Sequence, residues 1–210
     1  MLTVHHLGIS QSERIVWLCE ELSVPYELKK YDRDPVTRLA PPEYKALHPF
    51  GTAPVITDGN VVLAESGAII EYIIQRHGKS RLAVRPDAPN YADYLFWFHF
   101  ANGSMMPVQF AGALKPSPDE TPRTRISRER CERSWTMVER RLGEAPYFAG
   151  PDFTAADIIM LFPLTTMRAF VARDISGYPH VRAYLQRIGE RPAYQRAIQK
   201  GDPQMTPLLT

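Results

Sequence analysis

The sequence predicts an α/β half followed by an all-helical half, and three observations carry that reading. Short β-like runs alternate with helical runs up to about residue 78. A hairpin signal follows: two apolar runs, Val55-Ile-Thr-Asp58 and Val61-Val-Leu63, around Gly59-Asn60. Strand signals then stop after Pro86-Asp-Ala-Pro89. The order β-α-β, loop, hairpin, helix describes a four-stranded mixed sheet covered by helices. We place one domain at residues 1–80 and a helical-bundle domain at 88–210, with a linker between them.

In the first half, Leu2-Thr-Val-His-His6 reads as a strand. Residues 12–23 read as a helix, with Ile15, Val16, Leu18, Cys19 and Leu22 on one face. Residues 25–31 are strand-like. The Pro-rich stretch through Pro41-Pro42 and His48-Pro49 is irregular, with room for one short helix. A helix carrying Ile69, Ile70, Ile73 and Ile74 ends near Gly78.

In the second half, residues 90–106 form an aromatic helix. Tyr91, Tyr94, Leu95, Phe98 and Met105 mark one face, and Phe96, Phe100 and Gly103 another. Such a helix must be covered on two sides, by core on one and by a pocket or partner subunit on the other. Further helices are expected at 121–142, from Thr154, around Val181–Ile188 and after Pro192.

Composition narrows the function classes. The 210 residues carry a net charge of +2, which creates no field for nucleic acid or an anionic membrane. The Arg-rich run 123–133 is interleaved with Glu and reads as a solvated helix face. No apolar stretch reaches membrane-span length, and no leader pattern opens the chain. The two cysteines, Cys19 and Cys131, sit inside helical patterns, which fits a reduced, cytoplasmic protein. The histidines show no zinc spacing, so no metal is expected.

Three places carry candidate chemistry, and a fourth segment is weighed beside them. Ser10 and Ser12 lie between the first strand and first helix, where helix N–H groups and the dipole favour negative charge. A hydroxyl there can donate to a thiolate. Ser10 with Glu13 also spells a Ser-x-x-Glu capping box, which local sequence alone favours. Ala53-Pro54 precedes a strand; a cis bond would leave the Ala53 backbone to pair with an extended ligand, and a trans proline is the ordinary alternative. Glu65-Ser66 precedes a helix and can hold a ligand ammonium and carboxylate, or act as a plain cap. Phe153-Thr154-x-x-Asp157-Ile158 is a capping box with a hydrophobic staple, a folding signal without a catalytic role.

Taken in order, these pieces resemble the soluble glutathione S-transferase family, in particular its serine-type, bacterial or theta-like members. The matching residues are Ser10-x-x-x-Arg14 with Trp17-Leu-Cys-Glu20-Glu21-Leu22, then Pro25-Tyr26-Glu27, His48-Pro-Phe-Gly51-Thr-Ala-Pro54-Val55, Leu63-Ala-Glu65-Ser66-x-Ala68-Ile69, and Phe153-Thr154-x-Ala156-Asp157. The resemblance implies a thioredoxin-like N-terminal domain, a cis Ala53–Pro54 bond, a cytoplasmic homodimer, and glutathione as co-substrate for detoxification of a small apolar electrophile.

By the same resemblance Ser10 is the catalytic hydroxyl, with Ser12 as the alternative. Ala53 and Pro54 bind the cysteinyl backbone, and Glu65 and Ser66 the γ-glutamyl end. Ser12, His48 and Thr52 are assigned to the glutathione site as well, His48 and Thr52 standing where many relatives carry Asn and Lys. Phe98, Asn102, Met105 and Met106 are candidates for the co-substrate pocket or for ordinary core. The alternatives are a non-catalytic glutathione-binding or interaction protein, or a glutathione-dependent isomerase, dehalogenase or peroxidase.

Overall fold

A computed structural model describes residues 1–112 and 121–210. The described residues divide into two compact units, Met1–Ala83 with Gly189–Pro207, and Val84–Ile188 with Leu208–Thr210.

In the first unit, strand β1 (Leu2–Leu7) leads into helix α1 (Glu13–Leu22), then strand β2 (Glu27–Tyr31) and the short helix α2 (Pro42–Lys45). Strands β3 (Val55–Asp58) and β4 (Val61–Ala64) form the expected hairpin around Gly59, whose φ of +58° suits a residue without a Cβ. Helix α3 (Ser66–Arg76) follows. The sheet order is β2-β1-β3-β4, with β1 parallel to β2 and the other pairs antiparallel. This is the thioredoxin-like arrangement. Val4, Val55 and Ile56 from the sheet are buried, as are Ile15, Val16 and Leu18 from α1 and Ile69, Ile70 and Ile73 from α3.

The final helix, α9 (Pro192–Gly201), belongs to this first unit and not to the helical one where the sequence placed it. The cause is a set of charges on α1. Buried Glu20 accepts from Tyr26 Oη at 2.8 Å, Arg196 Nε at 3.0 Å and Lys200 Nζ at 2.5 Å. Glu21 takes Arg191 through two bonds of 2.7 and 2.9 Å. Trp17 meets the Tyr194 ring edge-on at 5.3 Å. Glu20, Glu21 and Tyr26, read in the sequence only as parts of a motif, are thus the seat of α9.

The second unit is helical. Helix α4 (Tyr91–Phe100) runs through a π-helical turn at Ala101–Met105 into α5 (Met106–Gly112). The sequence predicts a helix ending at 106. Pro107 has no N–H to give the preceding turn, and the widened turn accommodates it so that the helix continues. Helices α6 (Pro122–Glu144), α7 (Ala155–Leu164) and α8 (Pro179–Gly189) complete the unit. The Arg-rich run lies on α6, where Glu132 holds Arg173 through bonds of 2.6 and 2.7 Å. Thr154 caps α7 with its hydroxyl accepting from Ala156 N, and Asp157 reaches back to Thr154 N at 2.9 Å, so the predicted box is formed. Asp157 also accepts from Phe148 N at 3.0 Å and Tyr184 Oη at 3.3 Å. Among the described residues no helix is long and apolar enough to cross a membrane.

Candidate active site

The sheet register brings three of the four candidate segments to one edge. His5 pairs with Val55, and Val55 with Ala64. The end of β1, the start of β3 and the end of β4 therefore lie side by side. The β1–α1 turn, Ala53-Pro54 and Glu65-Ser66 extend from these three points.

In the β1–α1 turn the Ser10/Glu13 capping box does not form. The residue at the N-cap of α1 is Ser12, and its side chain makes no cap bond. Ser10 Oγ donates to the Leu7 carbonyl at 2.7 Å and accepts from Ser12 N at 3.2 Å. The two hydroxyl oxygens lie 2.8 Å apart. Ser12 Oγ accepts from Leu7 N at 3.1 Å and stands 2.9 Å from His6 Nδ1. Both serines are buried. A strong local signal loses because these hydroxyls are drawn back onto the last residues of β1 rather than forward onto the helix.

Helix α3 departs from its predicted cap in the same way. Ser66 is the first helical residue, and Glu65 occupies the N-cap with φ +71° and no side-chain cap bond. A left-handed φ is uncommon for a non-glycine residue and recurs at functional sites. Ser66 Oγ accepts from Arg14 Nη2 at 2.8 Å and donates to Gln11 Oε1 at 3.3 Å. Gln11 in turn takes Arg14 Nη2. Arg14 is fully buried. Burial pulls its guanidinium down to about 9, against Glu13 and Glu65, which raise it, and it stays cationic at neutral pH. The buried cation ties the N-termini of α1 and α3 together. Glu65 itself is exposed.

The Ala53–Pro54 bond is cis, as the resemblance implies. His48 is half-buried, and its ring Nδ1 accepts from Phe50 N at 3.2 Å; Thr52 is exposed. Cys19 is buried on α1, and burial pushes its thiol up to about 12, which fits its place as core and not as a nucleophile.

The co-substrate candidates belong to the second unit. Phe98 and Met105 are buried, and Met106 packs with Phe162 and Met167 in a buried cluster. Of the four, only Asn102 keeps a half-exposed side chain.

Sequence reasoning missed two residues. His6 Nε2 lies 3.1 Å from the Asp202 carboxylate, just past α9, and Asp202 Oδ1 accepts from Ile9 N at 3.0 Å. Burial raises the Asp202 carboxyl, but His6, the Ile9 N–H and Lys30 outweigh it and hold it below the usual range. Nothing local in the sequence links a strand histidine to an aspartate at the other end of the chain.

Comparison with known proteins agrees along the chain. Residues 10–76 match the glutathione S-transferase N-terminal domain, and 119–187 the C-terminal domain. Glutathione S-transferase 3 of Schizosaccharomyces pombe is 33% identical, the match covering 95% of this chain and 88% of that protein. Glutathione S-transferase 1 of Saccharomyces cerevisiae is 28% identical, with 95% of each covered. A crystal structure of a glutathione S-transferase from Actinobacillus pleuropneumoniae superimposes with a TM-score of 0.87 at 33% identity, over 100% of this chain and 99% of that one.

Proposed function

Since this chain belongs to the glutathione S-transferase family and uses glutathione as its co-substrate, we propose that Ser10 activates the glutathione thiol for attack on a small apolar electrophile. The observation that carries this reading is the diversion of Ser10 and Ser12 from helix capping. Two buried hydroxyls sit at the start of α1, on the same sheet edge as the cis Ala53–Pro54 bond and the Glu65-Ser66 corner.

The magnitudes fit. A free thiol titrates near ~8.5, so about 3% is thiolate at pH 7. Lowering that value by about two units makes roughly three quarters of it thiolate and requires about 2.7 kcal/mol. One hydrogen bond to a charged group supplies about 1.5–3 kcal/mol. The Ser10 hydroxyl, turning from the Leu7 carbonyl to the sulfur, supplies that bond, and the α1 N-terminus adds its dipole. Ala53 takes the cysteinyl backbone, and Glu65 with Ser66 the γ-glutamyl end, Ser66 being held in place by Arg14. The pocket for the electrophile draws on the α4–α5 segment, where Asn102 is the accessible candidate. We also place the protein in the cytoplasm as a homodimer; Leu95 and Phe96, exposed on α4, support a covered surface there.

The test is turnover of a generic aryl halide with glutathione by the wild type and by Ser10→Ala. The proposal expects a large loss of turnover with glutathione binding retained. Binding without turnover in the wild type would favour a non-catalytic role. Activity confined to hydroperoxides or to other glutathione-dependent chemistries would replace the transferase step.

A further inference from the structure

We infer that Asp202 is a positioning residue for Ser10, acting through the Ile9 N–H and the His6 ring. The inference rests on the Ser10 reading above for what is being positioned.

Ile9, immediately before Ser10, adopts φ +50°. A β-branched residue in the left-handed region crowds its own backbone and stays there only when its surroundings compel it. Asp202 Oδ1 holds the Ile9 N–H at 3.0 Å, while Arg33 donates to the Gly8 carbonyl at 2.8 Å and the Ile9 carbonyl at 3.1 Å. The other carboxylate oxygen lies 3.1 Å from His6 Nε2. Across the ring, His6 Nδ1 stands 2.9 Å from Ser12 Oγ, which is 2.8 Å from Ser10 Oγ. One half-buried carboxylate therefore reaches the hydroxyl pair by two arms, one through the backbone of the turn and one through the imidazole.

The closeness of this fit is visible in the residue before it. A Cβ on Gly201 would stand 3.1 Å from His6 Nε2 and 3.2 Å from its Cε1, so any side chain at 201 would press the ring back by a few tenths of an ångström. The charged side chains that act on Asp202 are those of Lys30 and Arg33. His6 is buried, and the adjacent His5 turns the other way, to Tyr31 and Thr57.

The chemistry follows from the proton inventory. The carboxylate charge 3.1 Å from Nε2, a charge contact and not an aligned hydrogen bond, favours the tautomer with its proton there and leaves Nδ1 to accept from Ser12. Ser12's only hydrogen is then committed to His6. The Ser10 hydrogen is then the one shared between the Leu7 carbonyl and Ser12 Oγ, and it is the hydroxyl hydrogen left to turn to a sulfur. Asp202 thereby also selects Ser10 over Ser12.

Asp202→Ala and Asp202→Asn in the full chain test this. The readouts are the apparent pKa of the bound glutathione thiol, from its ultraviolet thiolate absorbance, and the ¹⁵N signature of the His6 ring in the ligand-free protein. We expect Asp202→Ala to raise the bound thiol pKa by about one unit, a roughly tenfold loss of thiolate below that pKa, with little change in glutathione affinity. In the Ser10→Ala background it adds nothing further, because it acts through Ser10. Asp202→Asn keeps an acceptor for Ile9 but no charge for the ring. It shows a smaller rise and shifts the His6 signature toward Nδ1–H. An unchanged thiol pKa in Asp202→Ala alongside a raised one in Ser10→Ala overturns the inference and leaves the Ser10 reading intact, as do effects of the two substitutions that add. If Ser10→Ala itself leaves the thiol unchanged, the Ser10 reading fails. The His6 signature then decides whether Asp202 orients the ring, and an unchanged signature in both variants overturns that as well.

Discussion

Two helix starts in this protein carry nearly the same sequence signature and do opposite things. Ser10-x-x-Glu13 and Thr154-x-x-Asp157 both spell a capping box. At α7 the box forms, and buried Asp157 gathers Thr154 N, Phe148 N and Tyr184 Oη as well. At α1 the serine hydroxyls turn back to Leu7 and His6, and the helix start is left uncapped by side chains. The difference lies outside the motif, in what surrounds it. Ser10 and Ser12 stand beside β1, with His6 and Asp202 behind them. Thr154 and Asp157 satisfy each other, the Phe148 backbone and the Tyr184 hydroxyl, all within their own unit. A start whose side chains close on its own helix is a folding device; at α1 the first helical N–H groups bond backbone carbonyls of the turn, and the hydroxyls are set apart at the end of β1.

The largest effect that sharpens this contrast is on the folding side. Asp157→Ala strands buried donors of Phe148, Thr154 and Tyr184 and should cost about 3–5 kcal/mol in chemical denaturation, without moving the pKa of bound glutathione. Next comes pH. Burial raises the Asp157 carboxyl to about 6, against four hydrogen bonds that lower it. With the folded pKa above the unfolded value of 3.8, its contribution is fully present below 3.8 and is lost as pH rises to about 6. The difference in stability between wild type and Asp157→Asn should therefore change by about 3 kcal/mol across that window and be flat above it. Glu20 has the opposite sign: burial raises its carboxyl, but Lys200, Tyr26 and Arg196 outweigh it and leave it lowered, so its hold on α9 weakens as pH falls below 4.5. Thr154→Ala should cost about 1–2 kcal/mol, the ordinary value of a cap. Ser10→Ala should cost about 1 kcal/mol or less, the net value of one ordinary hydrogen bond, here to the Leu7 carbonyl. A Ser10→Ala loss as large as that of Thr154→Ala would mean that the serine is structural after all.

Periodicity made the two halves legible. The Gly59-Asn60 turn, the isoleucine face of α3 and the Thr154 box all follow from local chemistry that the structure repeats. The errors share one cause, tertiary contacts overriding a local rule. Ser10 and Ser66 look like caps until Leu7, Arg14 and Gln11 are placed beside them. The docking of α9 depends on Glu20 and Glu21 meeting cations that lie far along the chain. Aromatic and methionine spacing from α4 to α5 does not separate pocket from core, because both demand apolar side chains. His6 and Asp202 had no local signal at all.

The central claim is that the start of α1 is built for the thiol and the start of α7 for the fold. The most direct measurement is the pKa of the glutathione thiol bound to Ser10→Ala, titrated beside the wild type and Thr154→Ala. The account predicts a rise of about two units in Ser10→Ala, toward the free value near ~8.5, and no change in Thr154→Ala. An unchanged thiol in Ser10→Ala with glutathione still bound would contradict it and pass the role to Ser12.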